Sequence, residues 1–265
     1  MTATRDRTLS ASLATGGYTI DILVQGYPGK AICHGGLGWS TIALLRGHGR
    51  VALIDVGSFG QRDLVLKGLA AHGLKPADVS DVLLTHSHWD HSVNWVMFPK
   101  ARIVIGAGEL TWAAKQPWGT TPVPELYVRE LDGSGQTVRV EPGEDVLPSV
   151  TCHHAPGHTP GHLIFVLAGE DRDVIFTGDA AKNRAEMLSR EADMTYDPAV
   201  SRRSMEGIWS LWRRKPGTVL VPGHDVPMVL DNGAPSYIGT RTAALAAWFG
   251  ETLADTTPFD LIARG

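Results

Sequence analysis

The sequence predicts an α/β fold in which two β-sheets are sandwiched between outer helices, on three observations. Strand-forming runs followed by a helix occur twice along the chain. No Pro/Gly/Ser-rich linker, repeat or low-complexity tract divides the 265 residues, which fits one large unit. Finally, 43% hydrophobic and 20% charged residues are the composition of a globular chain long enough to bury a full core.

Residues 1–17 carry Arg5 and Arg7 but only Leu9 and Leu13 as large aliphatics, so they read as a flexible tail ahead of a domain over residues 18–265. Tyr18, Ile20, Ile22 and Val24 alternate, as in a strand with one buried face. A glycine-rich loop over 26–38 follows. Residues 40–45 and 51–55 are strands joined as a hairpin through Arg46-Gly47-His48-Gly49-Arg50. Residues 61–72 read as a helix that stacks Val65, Leu69 and His72 and stops at Gly73, with Pro76 beyond. Short buried strands over 82–85 and 101–105 come next, then a Pro-rich surface loop or lid over 116–124. The second set places strands over 136–140, 150–154, 163–167 and 174–177. Its helix, 201–215, keeps Met205, Ile208, Trp209 and Trp212 on one face and Arg202, Arg203, Arg213 and Arg214 elsewhere. Residues 219–221 are the last core strand.

Charge and cysteine usage narrow the function classes. The net charge of −4 lacks the overall basic field of a non-specific nucleic-acid binder, so a small-molecule substrate is the expected partner. No apolar run reaches membrane-span length, since the best, 51–56, is interrupted by Asp55. Cys33 and Cys152 form no disulfide framework and read as buried inert thiols, which suits a reducing, cytoplasmic setting. Nothing in the pattern specifies an oligomeric state.

The chemistry sits just after predicted strands, where side chains project from a rigid scaffold into a shared cleft. Thr85-His86-Ser87-His88-Trp89-Asp90-His91 packs four potential metal ligands into six positions. Pro156-Gly157-His158, Thr177-Gly178-Asp179 and Pro222-Gly223-His224 each add one, with a glycine that permits a tight turn. Imidazole and carboxylate suit zinc or another first-row divalent metal, with iron and manganese as alternatives. His34, His48 and His72 read as packed or solvated. His153, His154 and His162 neighbour the His158 loop and read as residues that orient it.

These residues resemble the metallo-β-lactamase superfamily, whose His-x-His-x-Asp-His signature stands at residues 86–91 with the later ligands in the expected order. The resemblance implies a four-layer αββα sandwich and two divalent ions per chain. His86, His88 and His158 would hold the first, Asp90, His91 and His224 the second, and Asp179 would bridge them. Asp55, in Leu53-Ile54-Asp55-Val56-Gly57, matches the superfamily's buried aspartate that supports the ligand loop.

Departures from subfamily patterns discriminate further. Asp179 stands where true β-lactamases place cysteine or serine, which disfavours antibiotic hydrolysis. The flavodiiron glutamate at position 88 and the Gly-Arg-x-Asp element of glyoxalase II are both missing. Homoserine-lactone lactonases resemble the run from Pro156 to His162, but their tyrosine three residues beyond the bridging aspartate is Lys182 here. A closer likeness is to the small stand-alone hydrolases typified by animal metallo-β-lactamase-domain-containing protein 1. It rests on Leu23-Val24-Gln25-Gly26-Tyr27, on Asp90-His91-Ser92-Val93-Asn94 leading to Phe98-Pro99, and on Asp197-Pro198.

Two such ions would lower the pKa of bound water towards about 7 and so supply hydroxide at neutral pH. The expected activity is hydrolysis of a small carbonyl compound, an ester or lactone, with Asp90 steering the water. Trp39, Trp89, Trp118 and Lys182 are the candidate pocket residues. The alternatives are a phosphodiesterase or nuclease, with Arg202, Arg203, Arg213 and Arg214 at its mouth, and a mononuclear iron thiol oxygenase.

Overall fold

The first sheet grows from residue 13. In the computed structural model, which describes residues 12–33 and 35–262, strand β1 (Leu13–Thr15) pairs antiparallel with β2 (Tyr18–Val24). Gly16 and Gly17 turn the chain between them at φ +57° and +77°, a conformation that favours glycine. The tail expected over 1–17 is therefore corrected at its end, because these glycines fold Leu13–Thr15 back onto the sheet. Residues 1–11, and His34, lie outside the described residues.

The glycine-rich loop carries a small flap, β3 (Lys30–Ala31) against β4 (Gly35–Gly36). The expected hairpin is β5 (Ile42–Gly47) and β6 (Arg50–Ile54), with His48 and Gly49 both at positive φ. Helix α1 (Arg62–Ala71) buries Val65 and Leu69. His72 is its half-buried C-terminal cap, 3.9 Å from Asp21, rather than part of the buried face. Strands β7 (Asp81–Leu83), β8 (Arg102–Gly106) and β9 (Thr137–Val140) extend the sheet in parallel from β6. Between them stand α2 (Trp89–Ser92), α3 (Ala107–Ala113) and α4 (Glu125–Gly133). Their short periodic patterns escaped the sequence reading.

The second sheet contains β10 (Asp145–Leu147), β11 (Val150–His154), β12 (Leu163–Leu167) and β13 (Val174–Gly178). After α5 (Arg184–Ser189) and α6 (Pro198–Arg213) it continues through β14 (Val219–Pro222), β15 (Met228–Asp231) and β16 (Ala234–Tyr237). Helix α6 starts three residues before its expected position, because Asp197 caps it by accepting the Ala199 and Val200 amides. Nor is 219–221 the sheet's last strand. Asn232 and Gly233, at φ +48° and +80°, fold β15 and β16 into a further hairpin. A separate two-stranded hairpin, β17 (Ala244–Trp248) and β18 (Thr256–Asp260), follows.

Ile20, Leu45, Leu83, Phe165, Phe176 and Val221 join the two sheets in one core. Val65, Leu69, Leu110, Val128 and Leu131 pack helices against the first sheet's outer face, and Ile208, Trp209 and Trp212 pack α6 against the second's. The layers are therefore α, β, β, α. Cys152 is buried in the central core as expected, whereas Cys33 is exposed in the flap turn. Among the described residues no helix is long and apolar enough to cross a membrane.

Candidate metal centre

Strand ends converge on one place. Asp55 follows β6 at φ +54°; its carboxylate accepts the Thr85 amide at 2.8 Å and the Thr85 hydroxyl at 2.9 Å, and lies 2.8 Å from His91 Nδ1. That contact turns His91 Nε2 away from Asp55, as a carboxylate behind a ligand histidine does. The chain leaving β7 presents His86 and His88, and α2 presents Asp90 and His91. The β11–β12 turn supplies His158, and the ends of β13 and β14 supply Asp179 and His224. Gly157 sits at φ +127°, where a Cβ would overlap Ser201, and a Cβ on Gly223 would overlap the Asp179 carboxylate. Only glycine lets these turns approach so closely.

All seven sequence-predicted ligand residues are thus brought together. Candidate ligand atoms gather within 4.8 Å in three sets: His86, His88 and His158; His86, His91 and Asp179; and Asp90, His91 and His224. His158 Nε2 lies 2.8 Å from His88 Nδ1, and His91 Nε2 lies 3.2 Å from His224 Nε2. Asp179 reaches both halves, with Oδ2 3.2 Å from His158 Nε2 and Oδ1 3.1 and 3.2 Å from His91 and His224. Buried His86 Nε2 has no hydrogen-bond partner among the described residues. Imidazole nitrogens and carboxylate oxygens that converge so closely fit divalent cations, and two nitrogens on one tetrahedral zinc stand about 3.3 Å apart.

The electrostatics divide the cluster. Burial lowers His88 to about 4 and His162 to about 3, and holds His86 and His158 well below the ordinary range. Burial also opposes charge on His224, but Asp179 and Asp90 outweigh it and raise this imidazole to about 9; His91 is likewise held well above its ordinary value. Metal binding needs both neutral, so it releases protons.

The metal-free protein should accordingly be most stable near pH 6.5. Below that, unfolded His88 and His162 bind protons that the folded forms refuse down to about 4 and about 3, so stability falls. Above it, the stabilisation from His224, fully present below 6.5, is lost as pH rises through about 9. Thermal unfolding of chelator-treated protein across this range checks the expectation, and a flat profile would refute it.

His162 is fully buried; its Nε2 accepts the Asp179 amide at 3.1 Å and its ring stacks on His86 at 4.8 Å. His153 and His154 lie instead in a separate groove. The sequence reading missed Glu109, a fully buried carboxylate on α3. It accepts the Ser87 amide and hydroxyl at 2.9 and 2.6 Å, and the Thr159 hydroxyl and Gly161 amide at 2.7 and 3.2 Å. Glu109 thereby ties the His86–His88 segment to the His158 turn. Asp225 was missed as well: it accepts the Arg184 amide and the Tyr237 hydroxyl and pairs with Arg241 beside His224. No local pattern marks either residue, since their partners are far along the chain.

A cleft of about 570 Å³ opens over the cluster, lined by His88, Asp90, His158, Asp179 and His224 at its base and by Trp89, Trp112, Met194 and Tyr196 on its walls. Lys182 lines it too, 13% exposed at the side chain and 3.1 Å from Glu186. Trp39 and Trp118 require correction. Trp39 stacks on Tyr27 at 4.8 Å and Trp118 lies exposed under Arg129, both outside the cleft lining. Arg202, Arg203, Arg213 and Arg214 are also outside it, because α6 packs on the outer face of the second sheet.

The family model for the metallo-beta-lactamase superfamily matches residues 35–224. Metallo-beta-lactamase domain-containing protein 1 of Rattus norvegicus is 30% identical over 176 residues, covering 66% of this chain and 61% of that protein. An N-acyl homoserine lactonase of Bacillus thuringiensis is 22% identical over 168 residues, 63% of this chain and 64% of that one. Among solved structures, AidC, a dizinc quorum-quenching lactonase in complex with a product, superposes with a TM-score of 0.71 at 15% identity, over 88% of this chain and 98% of that one. Fold and centre together define a four-layer sandwich with a histidine–aspartate metal site at its strand ends. The chain belongs to the metallo-beta-lactamase superfamily. It spans about three fifths of the length of the curated relatives it matches.

Proposed function

We propose that this chain is a dinuclear metal-dependent hydrolase that cleaves an ester or lactone bond of a small, partly apolar substrate. The observation that carries this reading is the convergence of seven ligand-type side chains, five of which line the base of an aromatic-walled cleft. His86, His88 and His158 would hold one ion and Asp90, His91 and His224 the other, with Asp179 between them; zinc suits this donor set. Divalent ions there would lower the pKa of bound water to about 7 and polarise a carbonyl.

The chain's own residues do the rest. Trp89, Trp112 and Tyr196 receive the apolar part of the substrate, beside Lys182, whose ammonium pairs with Glu186. Asp90 has the most exposed carboxylate of the cluster, at 15%, so it can orient the attacking water and take its proton. In the metal-free chain His91 and His224 hold that carboxylate below the ordinary range against the opposing effect of burial. Among the described residues no arginine lines the cleft, which favours a carbonyl substrate over a phosphodiester. The lactonases among the relatives support the same bond class.

No side chain is assigned as a nucleophile, so no acyl-enzyme burst should precede steady turnover. In oxygen-18 water the label should appear in the product carboxylate. Incorporation of oxygen from molecular oxygen would overturn hydrolysis and favour the iron oxygenase, and label in a phosphate product would favour the phosphodiesterase.

A further inference from the structure

Two features take no part in the metal cleft. The first is the C-terminal hairpin of β17 and β18, whose pairing sets Leu245 opposite Phe259 and Trp248 opposite Thr256. All five residues of β18 and four of five in β17 are exposed. Trp248, Phe249 and Leu253 are 59%, 75% and 88% exposed. A lone two-stranded hairpin is marginal in water, and apolar side chains concentrated on one are a surface that needs cover. The arm is also acidic: residues 242–262 contain Glu251, Asp255 and Asp260 but no lysine or arginine.

The second feature is a groove of about 530 Å³ between β11 and α6, rimmed by Arg203, Arg214 and His153 and floored by Ile164, Val200 and Leu211. Among the described residues neither arginine makes a side-chain hydrogen bond or ion pair, and no acidic residue lines the groove. Its apolar floor and basic rim complement the apolar, acidic arm.

We propose that the chain pairs with a second copy of itself, the β17–β18 hairpin of each protomer seating in the β11–α6 groove of the other. Reciprocal exchange uses each complementary pair of surfaces twice, as a two-fold dimer requires. Trp248, Phe249 and Phe259 are 59%, 75% and 45% exposed, so of the about 150–250 Å² that each such side chain can bury two arms still hide on the order of 700 Å², and the grooves that receive them lose a comparable area. Together these areas approach the roughly 1,200–2,000 Å² of specific interfaces. The arm's carboxylates meet the partner's Arg203 and the partner's Arg214. An anionic membrane would repel this acidic arm, and a nucleic acid would leave its apolar face uncovered.

Charge reversal on the full chain tests this arrangement, since every altered side chain is at the surface. Sedimentation equilibrium should find a dimer for the native protein. The double variant Arg203→Glu/Arg214→Glu should weaken it at least about thirtyfold, and so should Glu251→Lys/Asp255→Lys/Asp260→Lys. Combining all five substitutions should restore the dimer, while hydrogen exchange should show residues 244–260 protected in the native dimer only. A native monomer, a dimer indifferent to either reversal, or a combined variant that stays dissociated would overturn the proposal. So would a monomer whose hairpin becomes protected only on phosphatidylcholine vesicles, which would assign the arm to a lipid surface instead.

Discussion

Asp179→Ala is expected to lower kcat/KM for the proposed ester or lactone hydrolysis by about a thousandfold or more, which corresponds to about 4 kcal/mol of transition-state stabilisation. The physical ground is its position. Asp179 Oδ1 and Oδ2 contact histidines of both halves of the cluster, and among the described residues no other carboxylate reaches His158, His91 and His224 together. Its negative charge also sustains the raised pKa of His224 and His91. The variant should retain less metal than the parent, which is expected to hold two ions per chain by elemental analysis. Asp179→Glu, which keeps the charge but displaces the oxygens, should recover metal before it recovers rate. Full turnover and full metal content in Asp179→Ala would show that the carboxylate does not join the two halves.

Glu109→Leu should be the most destabilising single change near the centre. It removes the acceptor for the Ser87 amide and hydroxyl, the Thr159 hydroxyl and the Gly161 amide, all buried. Donors left without a partner in the interior cost about 1–3 kcal/mol each before relaxation, so a loss of about 3–5 kcal/mol is expected. In a chain of this length that lowers Tm by roughly 10 °C. Burial pushes the Glu109 carboxyl above the ordinary range, against the hydrogen bonds that favour its charged form. Glu109→Gln should therefore be milder, since its amide oxygen still accepts from one side. Because the lost contacts hold the His88 and His158 segments together, chelator should strip metal from Glu109→Leu faster than from the parent. A Tm within a degree or two of the parent would refute this account.

The contrast between these two residues shows what kinds of information the chain carries. Asp179 was legible because it follows a buried strand and a glycine, and because it completes a spaced set of ligand-type residues. His86, His88, Asp90 and His91 were legible for a stronger reason: six consecutive positions bring four donors together by local geometry alone. The two sheets were legible from alternation and the outer helix α6 from its period, since burial on one face writes that pattern directly into sequence. The Asn232-Gly233 hairpin had a recognisable turn signature, but its strands β15 and β16 are short and partly exposed, so their periodicity is weak.

Glu109 had no such mark. Its four donors come from residues 87, 159 and 161, up to 52 positions away, and a glutamate in a short helix looks like any solvated one until the sheets are stacked. The cleft wall was decided in the same way. Trp39 and Trp118 sit in the loops that flank it, yet stacking on Tyr27 and contact with Arg129 turn them elsewhere, while Trp112 and Tyr196 meet across 6.1 Å from distant segments. Donor identity and strand order follow from local pattern, because hydrophobic period and turn chemistry act over a few residues. Which side chains face the substrate, and which buried carboxylate locks the ligand turns together, depend on contacts between residues far apart in the chain, and those exist only once the two sheets have packed.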